Sequence, residues 1–113
     1  MGPRFFKLEI FVPETHFPLL RETLREQDAG HIGRYDSCLA YSRVRGSWRP
    51  LEGADPFIGR AGELCEMDEI KIEVTVSAGR LEQTVRAVKG AHPYEEPVIN
   101  IIPLWGTGLQ GAQ

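Results

Sequence analysis

Two stretches of the chain have apolar residues at every second position, with the period of two that is typical of a strand with one buried face. In residues 5–12 the even positions are apolar, and Lys7 and Glu9 lie on the opposite face. Residues 68–76 repeat this pattern, with Ile or Val at positions 70, 72, 74 and 76. We therefore predict two strands that each cover one side of a core.

Two further stretches predict strands less directly. Residues 38–45 alternate loosely and end at Gly46, and residues 97–104 are rich in β-branched side chains. The last stretch contains Pro97 and Pro103, which cannot donate a backbone hydrogen bond. It is therefore expected at an edge of the sheet.

Apolar residues recur every three or four positions in two segments, as on the buried face of an amphipathic helix. The first segment runs from residue 14 or 15 to about residue 28, with Pro18 in its first turn and Gly30 as a C-terminal stop. The second begins after Ser77, a good N-cap, and closes at Gly90. The sequence thus predicts two helices, one after the strand at residues 5–12 and one after the strand at residues 68–76.

The chain contains an internal repeat with a spacing of 64 residues, in which each copy consists of strand, helix and strand. The identical pairs are Lys7/Lys71, Glu9/Glu73 and Val12/Val76. Each copy must bury one sheet face under one helix, so two copies together predict an α+β ferredoxin-like plait (βαββαβ). This fold is a four-stranded antiparallel sheet with two helices on one face.

Composition and charge fit one folded domain and remove several classes of function. With 113 residues, 42% apolar and 26% charged, we expect a single domain over residues 1–113, with a core at about 5–104 and a tail at 105–113. The net charge of −3 gives no footprint for nucleic acid. Because no apolar run could span a bilayer or serve as a signal peptide, we expect a cytoplasmic protein without membrane contact. Two cysteines without motif spacing are then expected to be thiols.

Glycine and proline are concentrated in residues 46–62, which contain four glycines and two prolines. This composition predicts a long loop, and loops of this length are usually functional or form interfaces. We expect Trp48, Phe57 and Ile58 to anchor it.

The densest group of polar side chains is the segment HPYEEP at residues 92–97, where two prolines stiffen a histidine and two glutamates. Such mixed nitrogen and oxygen donors suit a divalent transition metal, and a histidine or cysteine from the turn after the first helix would complete the site. The spacing matches no zinc signature, and the alternative hypothesis is a hydrogen-bonded corner or a subunit contact. The candidate metal ligands are His31, Cys38, His92, Glu95 and Glu96.

Other candidate chemistry is weaker. Arg43, Arg45 and Arg49 beside a tryptophan suggest an anion-binding face, although an exposed basic strand face is more often only solvated. Cys38 with His31 is the one conceivable catalytic dyad, and no helix N-terminus is expected there to lower the pKa of the thiol. We therefore expect no catalysis.

Four motifs occur in order between residues 6 and 104: KLEIFVPETH, GHIGRYDSC, WRPLEGADPFIG and AHPYEEP. They closely resemble the CutA-like or PII-like domain found inserted in YqfO-type members of the Nif-three (NGG-interacting factor) family. The resemblance implies a ferredoxin-like fold and a homo-oligomer, with a trimer favoured and a dimer possible. The flanking domains that hold the dinuclear metal site of the larger family members have no counterpart in this sequence. Within the matching motifs, Tyr35, Arg49 and Tyr94 are the candidate ligand-binding residues.

These observations predict a non-catalytic, small oligomeric module for binding or regulation. Its inter-subunit clefts, lined by residues 31–38, 46–62 and 92–97, would hold a divalent transition metal or a small anionic ligand. One alternative is a protein-interaction module that binds no ligand. Another, a metal-dependent hydrolase, rests on the family name alone, and a shared fold does not assign an activity.

Overall fold

A computed structural model describes residues 2–109, so Met1 and residues 110–113, the end of the predicted tail, lie outside the described residues. The elements in chain order are β1 (Phe5–Pro13), a 3-10 turn (Glu14–His16), α1 (Phe17–Glu26), β2 (Ala40–Trp48), β3 (Cys65–Ser77), α2 (Ala78–Ala91) and β4 (Ile99–Leu104). Between residues 2 and 109 there is no helix long and apolar enough to cross a membrane.

The four strands form one antiparallel sheet in the order β2-β3-β1-β4. The two central strands are β1 and β3, which have apolar residues at every second position, and Leu8 lies opposite Val74 while Ile10 lies opposite Ile72. β4, which contains Pro103, is an edge strand, as predicted. The α+β ferredoxin-like prediction is therefore confirmed.

The core lies between the sheet and both helices. Leu8, Ile10 and Val12 of β1 are buried together with the Ile and Val side chains at positions 70, 72, 74 and 76 of β3. They form one core with Leu20 and Leu24 of α1 and Val88 of α2. At about 25 cal/mol per Å² of apolar surface, burying one such side chain contributes roughly 1.5–3 kcal/mol. Because both helices cover the same face, the odd positions of β1 and β3 lie on the opposite side of the sheet, called here the open face.

The second strand differs from the prediction at both ends. β2 begins at Ala40 rather than at residue 38, and it continues through Gly46 to Trp48. Gly46 is therefore a strand residue, paired with Met67, and not the end of the strand. The long loop is correspondingly shorter and occupies residues 49–64.

The helix boundaries also shift. A 3-10 turn precedes α1, which ends at Glu26, before the predicted end near residue 28. Asp28 has a φ of 63° and Gly30 a φ of 75°, so the chain leaves the helix through two left-handed residues. Ser77 does precede α2, but its side chain makes no capping hydrogen bond, and α2 continues through Gly90 to Ala91.

Candidate functional site

A cleft of about 630 Å³ opens where two loops fold over the open face near the β2 edge. The loop of residues 49–64 forms one wall, and the turn of residues 92–98 forms another. We call it the open-face cleft, and its lining includes Phe11, Trp48, Phe57, Ile58, Glu69 and Tyr94. The walls are mainly apolar and aromatic, as in most small-molecule sites.

The long loop is fixed to the sheet by specific hydrogen bonds. The indole N–H of Trp48 donates to the carbonyl of Ile58 at 3.0 Å, and the N–H of Gly62 donates to the carbonyl of Pro50 at 2.8 Å. Gly59 passes beside the indole with a φ of 115°, a conformation that favours glycine. The ring of Phe57 meets the ring of His16 edge-on, with centroids 5.4 Å apart. The predicted anchoring of the loop by Trp48, Phe57 and Ile58 is thus confirmed.

The turn HPYEEP is held by its histidine. Nε2 of His92 lies 2.7 Å from the carbonyl oxygen of Phe11, and Nδ1 accepts the backbone N–H of Tyr94 at 3.1 Å. These partners assign the proton to Nε2 of a neutral ring. Burial lowers the pKa of His92, although the Phe11 carbonyl and the charge of Glu69 oppose this shift. Both ring nitrogens are used inside the fold, which agrees with the hydrogen-bonded corner rather than with a metal ligand.

A buried carboxylate forms the floor of the cleft. The phenol of Tyr94 donates to Oε2 of Glu69 at 2.7 Å, and Glu69 is only 5% exposed. Burial is the largest cause that raises the pKa of Tyr94, and the hydrogen bond to Glu69 and its charge act in the same direction. The carboxylate also lies over Gly46, where a Cβ atom would come within 2.7 Å of its Cδ atom.

Sequence reasoning missed Glu69 because alternation places it on the polar side of β3, where a glutamate is usually solvated. Only the loop and the turn that fold over the open face bury it. One signal in the sequence was Gly46, since a glycine inside a strand often marks a close approach by another group.

The turn after α1 lies at the other end of the sheet. The N–H of Gly30 donates to the carbonyl of Thr75, six residues along β3 from Glu69, or about 20 Å away. There, Nδ1 of His31 lies 2.7 Å from Asp28 and Nε2 lies 3.0 Å from the carbonyl oxygen of Gly33. The hydrogen bond and the charge of Asp28 raise the pKa of His31. Two acceptors favour a protonated ring, which has no lone pair for a metal.

The structure thus divides the predicted site residues into two groups. Arg49, Tyr94, Glu95 and Glu96 line the open-face cleft, whereas His31, Tyr35 and Cys38 belong to the turn at the opposite end. Among residues 2–109, no three His, Cys, Asp or Glu side chains form a group that could hold a metal ion. The five predicted ligands therefore do not meet within one chain, because the length of β3 separates them.

The sequence of this chain is similar to one segment of longer proteins. A GTP cyclohydrolase 1 type 2 homolog from Halalkalibacterium halodurans is 44% identical over 103 residues, which make up 91% of this chain and 28% of that protein. A solved structure of a Bacillus cereus protein related to NIF3 matches with a TM-score of 0.80 and 33% identity, over 94% of this chain and 27% of its own. The chain therefore spans little more than a quarter of these relatives. No protein-family model matches it.

The fold recurs in smaller proteins. The periplasmic divalent cation tolerance protein CutA from Archaeoglobus fulgidus matches with a TM-score of 0.67 and 17% identity, over 91% of this chain and 86% of its own. At this identity the match concerns the fold alone. The chain therefore has a CutA/PII-like fold, and its sequence is similar to one segment of longer proteins, among them a GTP cyclohydrolase 1 type 2 homolog and a protein related to NIF3.

Proposed function

We propose that the chain is a single-domain, non-catalytic module for binding or regulation, and that the open-face cleft is its ligand site. The observation that carries the proposal is an anchored, mainly apolar cleft with a few polar groups at fixed positions. Its volume of about 630 Å³ falls within the roughly 300–1,000 Å³ of small-molecule sites. Three of its rings surround the polar floor: Trp48, Phe57 and Tyr94.

The charges of the lining bear on the class of ligand. Arg49, the basis for expecting a small anion, is an exposed residue of the lining, whereas Glu69 is buried at the floor. An exposed charge is screened by water and salt, and a buried charge is screened much less. The buried carboxylate disfavours an anion as the group that reaches the floor, so a small anion is the less favoured ligand of this cleft.

A divalent metal remains part of the proposal for the assembled protein. The name of the Archaeoglobus fulgidus relative refers to divalent cation tolerance, and Glu95 and Glu96 line the rim of the cleft. His31 and Cys38 lie about 20 Å away along β3. A site that adds them to Glu95 and Glu96 needs the turn after α1 from a second copy, with the His31 ring neutral and released from Asp28. The metal version therefore depends on the homo-oligomer, for which we favour a trimer over a dimer.

An interaction module without a ligand is the second candidate. It is supported by exposed apolar side chains on and beside the edge strand β4, namely Val98, Ile101, Ile102 and Trp105. An apolar edge strand pairs readily with another chain. A hydrolase is supported only by the names of relatives of which this chain spans about a quarter. We place the protein in the cytoplasm, without a role in nucleic-acid or membrane binding, on the sequence grounds given above.

The test is a fragment screen followed by ¹H–¹⁵N NMR spectra of the whole chain and of two variants. Ala54→Phe places a ring in the lining of the cleft, and Ala61→Phe adds the same ring to the same loop outside it. We expect hits that shift resonances of cleft residues in the wild type and in Ala61→Phe but not in Ala54→Phe. A library that yields no hit at the cleft, or hits that bind Ala54→Phe equally, contradicts the proposal.

A further inference from the structure

The carboxylate of Glu69 is buried, since only 5% of the residue is exposed. Among the described residues 2–109, none of the salt bridges includes Glu69. Its one hydrogen bond within that part of the chain comes from a neutral donor, the phenol of Tyr94. Burying an ionised carboxylate is costly unless a cation or several donors accompany it. The fold therefore keeps a negative charge at the floor of the cleft that only one hydroxyl stabilises.

The second oxygen of this carboxylate, Oε1, is the candidate acceptor for a ligand. Oε2 accepts the proton of Tyr94, and no hydrogen bond within residues 2–109 reaches Oε1. Oε1 lies over the Cα atom of Gly46, and both residues line the cleft. A side chain at position 46 would occupy the place of the carboxylate, so the glycine keeps this acceptor at the floor.

Aromatic rings that contact one another line the same cleft as Glu69. The ring of Tyr94 lies 5.7 Å from that of Trp48 and 6.3 Å from that of Phe57, measured between centroids, and the planes are tilted by 49° and 47°. The Trp48 ring is held in place by its bond to Ile58. The faces of such rings attract a cation, and more strongly where water is excluded.

We infer that the open-face cleft binds a small organic ammonium ion, namely a protonated primary amine with an apolar body, whose N–H donates to Oε1 of Glu69. This inference rests on the proposed function of the cleft and adds the chemical class of its ligand. The amine supplies the missing positive charge, the rings contact its apolar body, and the exposed Glu95 and Glu96 at the rim add negative charge that outnumbers Arg49.

The experiment compares three probes of nearly equal shape by NMR titration: 2-phenylethylammonium, neutral 2-phenylethanol and anionic phenylacetate. The wild type should bind the ammonium ion at least tenfold more tightly than the alcohol, and phenylacetate most weakly. Glu69→Gln keeps an oxygen that accepts from Tyr94 but removes the charge, so ammonium binding should weaken roughly ten- to a hundredfold. Glu73→Gln, on the same strand and face but outside the cleft, should bind as the wild type does.

Two outcomes overturn the inference, and they are distinct from failure of the proposed function. If the alcohol or phenylacetate binds the cleft as tightly as the ammonium ion, the cleft remains a ligand site but not one for amines. If Glu69→Gln binds the ammonium ion unchanged, Glu69 does not recognise it. Should Glu69→Gln fail to fold, the order of the three probes on the wild type decides. The proposed function itself fails if the fragment screen finds no ligand at the cleft or if its hits bind Ala54→Phe equally.

Discussion

The phenolic oxygen of Tyr94 lies 2.7 Å from Oε2 of Glu69, a residue 25 positions earlier in the chain. This hydrogen bond joins the turn HPYEEP to the open face of β3 and closes the floor of the cleft. It also joins a residue that the sequence analysis selected to one that it did not.

Replacing Tyr94 with Phe should lower the free energy of unfolding by about 1–3 kcal/mol, since it leaves a buried carboxylate oxygen without its donor. Chemical denaturation measures this difference. Tyr35→Phe is the matched control, because Tyr35 is 73% exposed and should lose less than about 0.5 kcal/mol. Equal stability of Tyr94→Phe and the wild type would show that the hydrogen bond has no energetic role.

Replacing Gly46 with Ala should lower the free energy of unfolding by about 1–3 kcal/mol, because the new methyl group displaces the Glu69 carboxylate. Gly79→Ala is the control, since a Cβ at Gly79 in α2 meets no atom within 4 Å. Helix propensity there predicts a gain of up to about 1 kcal/mol.

Combining Gly46→Ala with Tyr94→Phe tests whether Gly46 and Tyr94 stabilise the fold through one group, the carboxylate of Glu69. If both stabilise the position of Glu69, the double variant Gly46→Ala/Tyr94→Phe should lose clearly less stability than the two single losses added together. If the two losses are additive in this double-mutant cycle, Gly46 and Tyr94 do not stabilise the fold through a shared group.

Protonation of His92 should destabilise the fold in mild acid. Its pKa in the folded protein lies below the ordinary value of 6.5, so between these two pKa values the unfolded chain binds a proton that the folded chain does not. This contribution to stability is complete above pH 6.5 and is lost as the pH falls toward the folded pKa. In His92→Gln, which retains a side-chain N–H donor, the loss of stability over this range should be smaller than in the wild type. Unfolding curves that depend equally on pH in both proteins would argue against a buried neutral imidazole.

His31 should titrate in the opposite sense. The neighbouring Asp28 raises its pKa above 6.5, so its ion pair stabilises the fold fully below pH 6.5 and is lost as the pH rises through the raised pKa. Asp28→Asn removes the charge and keeps a residue that tolerates the φ of 63° at this position. An NMR titration should show a lower pKa for His31 in the variant and an unchanged pKa for His92. An unchanged His31 would mean that the Asp28 contact does not persist in solution.

The fold was predictable because its signals are local and repeated. The alternation in β1 and β3 and the 64-residue repeat specify which faces are buried and which strands are central. The strand ends were less predictable, since Gly46 and Ser47 look like the start of a loop yet continue β2. Their pairing with β3 stabilises a strand that their own propensities do not favour.

The site was predictable only in part, because it depends on how the loops fold over the sheet. Three residues of the motifs line one cleft, namely Trp48, Arg49 and Tyr94. The sequence alone did not show that the turns after the two helices lie at opposite ends of the sheet, because their separation depends on the antiparallel arrangement of the strands. His31 and His92 are therefore far apart, although they occupy matching positions after the two helices.

The measurement that tests the central claim most directly is the indole N–H signal of Trp48 during titration with a cleft ligand. The chain has two tryptophans, and Trp105 is fully exposed beyond β4, so its signal serves as an internal reference. We predict that 2-phenylethylammonium shifts the Trp48 signal in a saturable way and leaves the Trp105 signal in place. A titration in which the Trp48 signal stays fixed for this probe and for every hit of the fragment screen would contradict a ligand site in the open-face cleft.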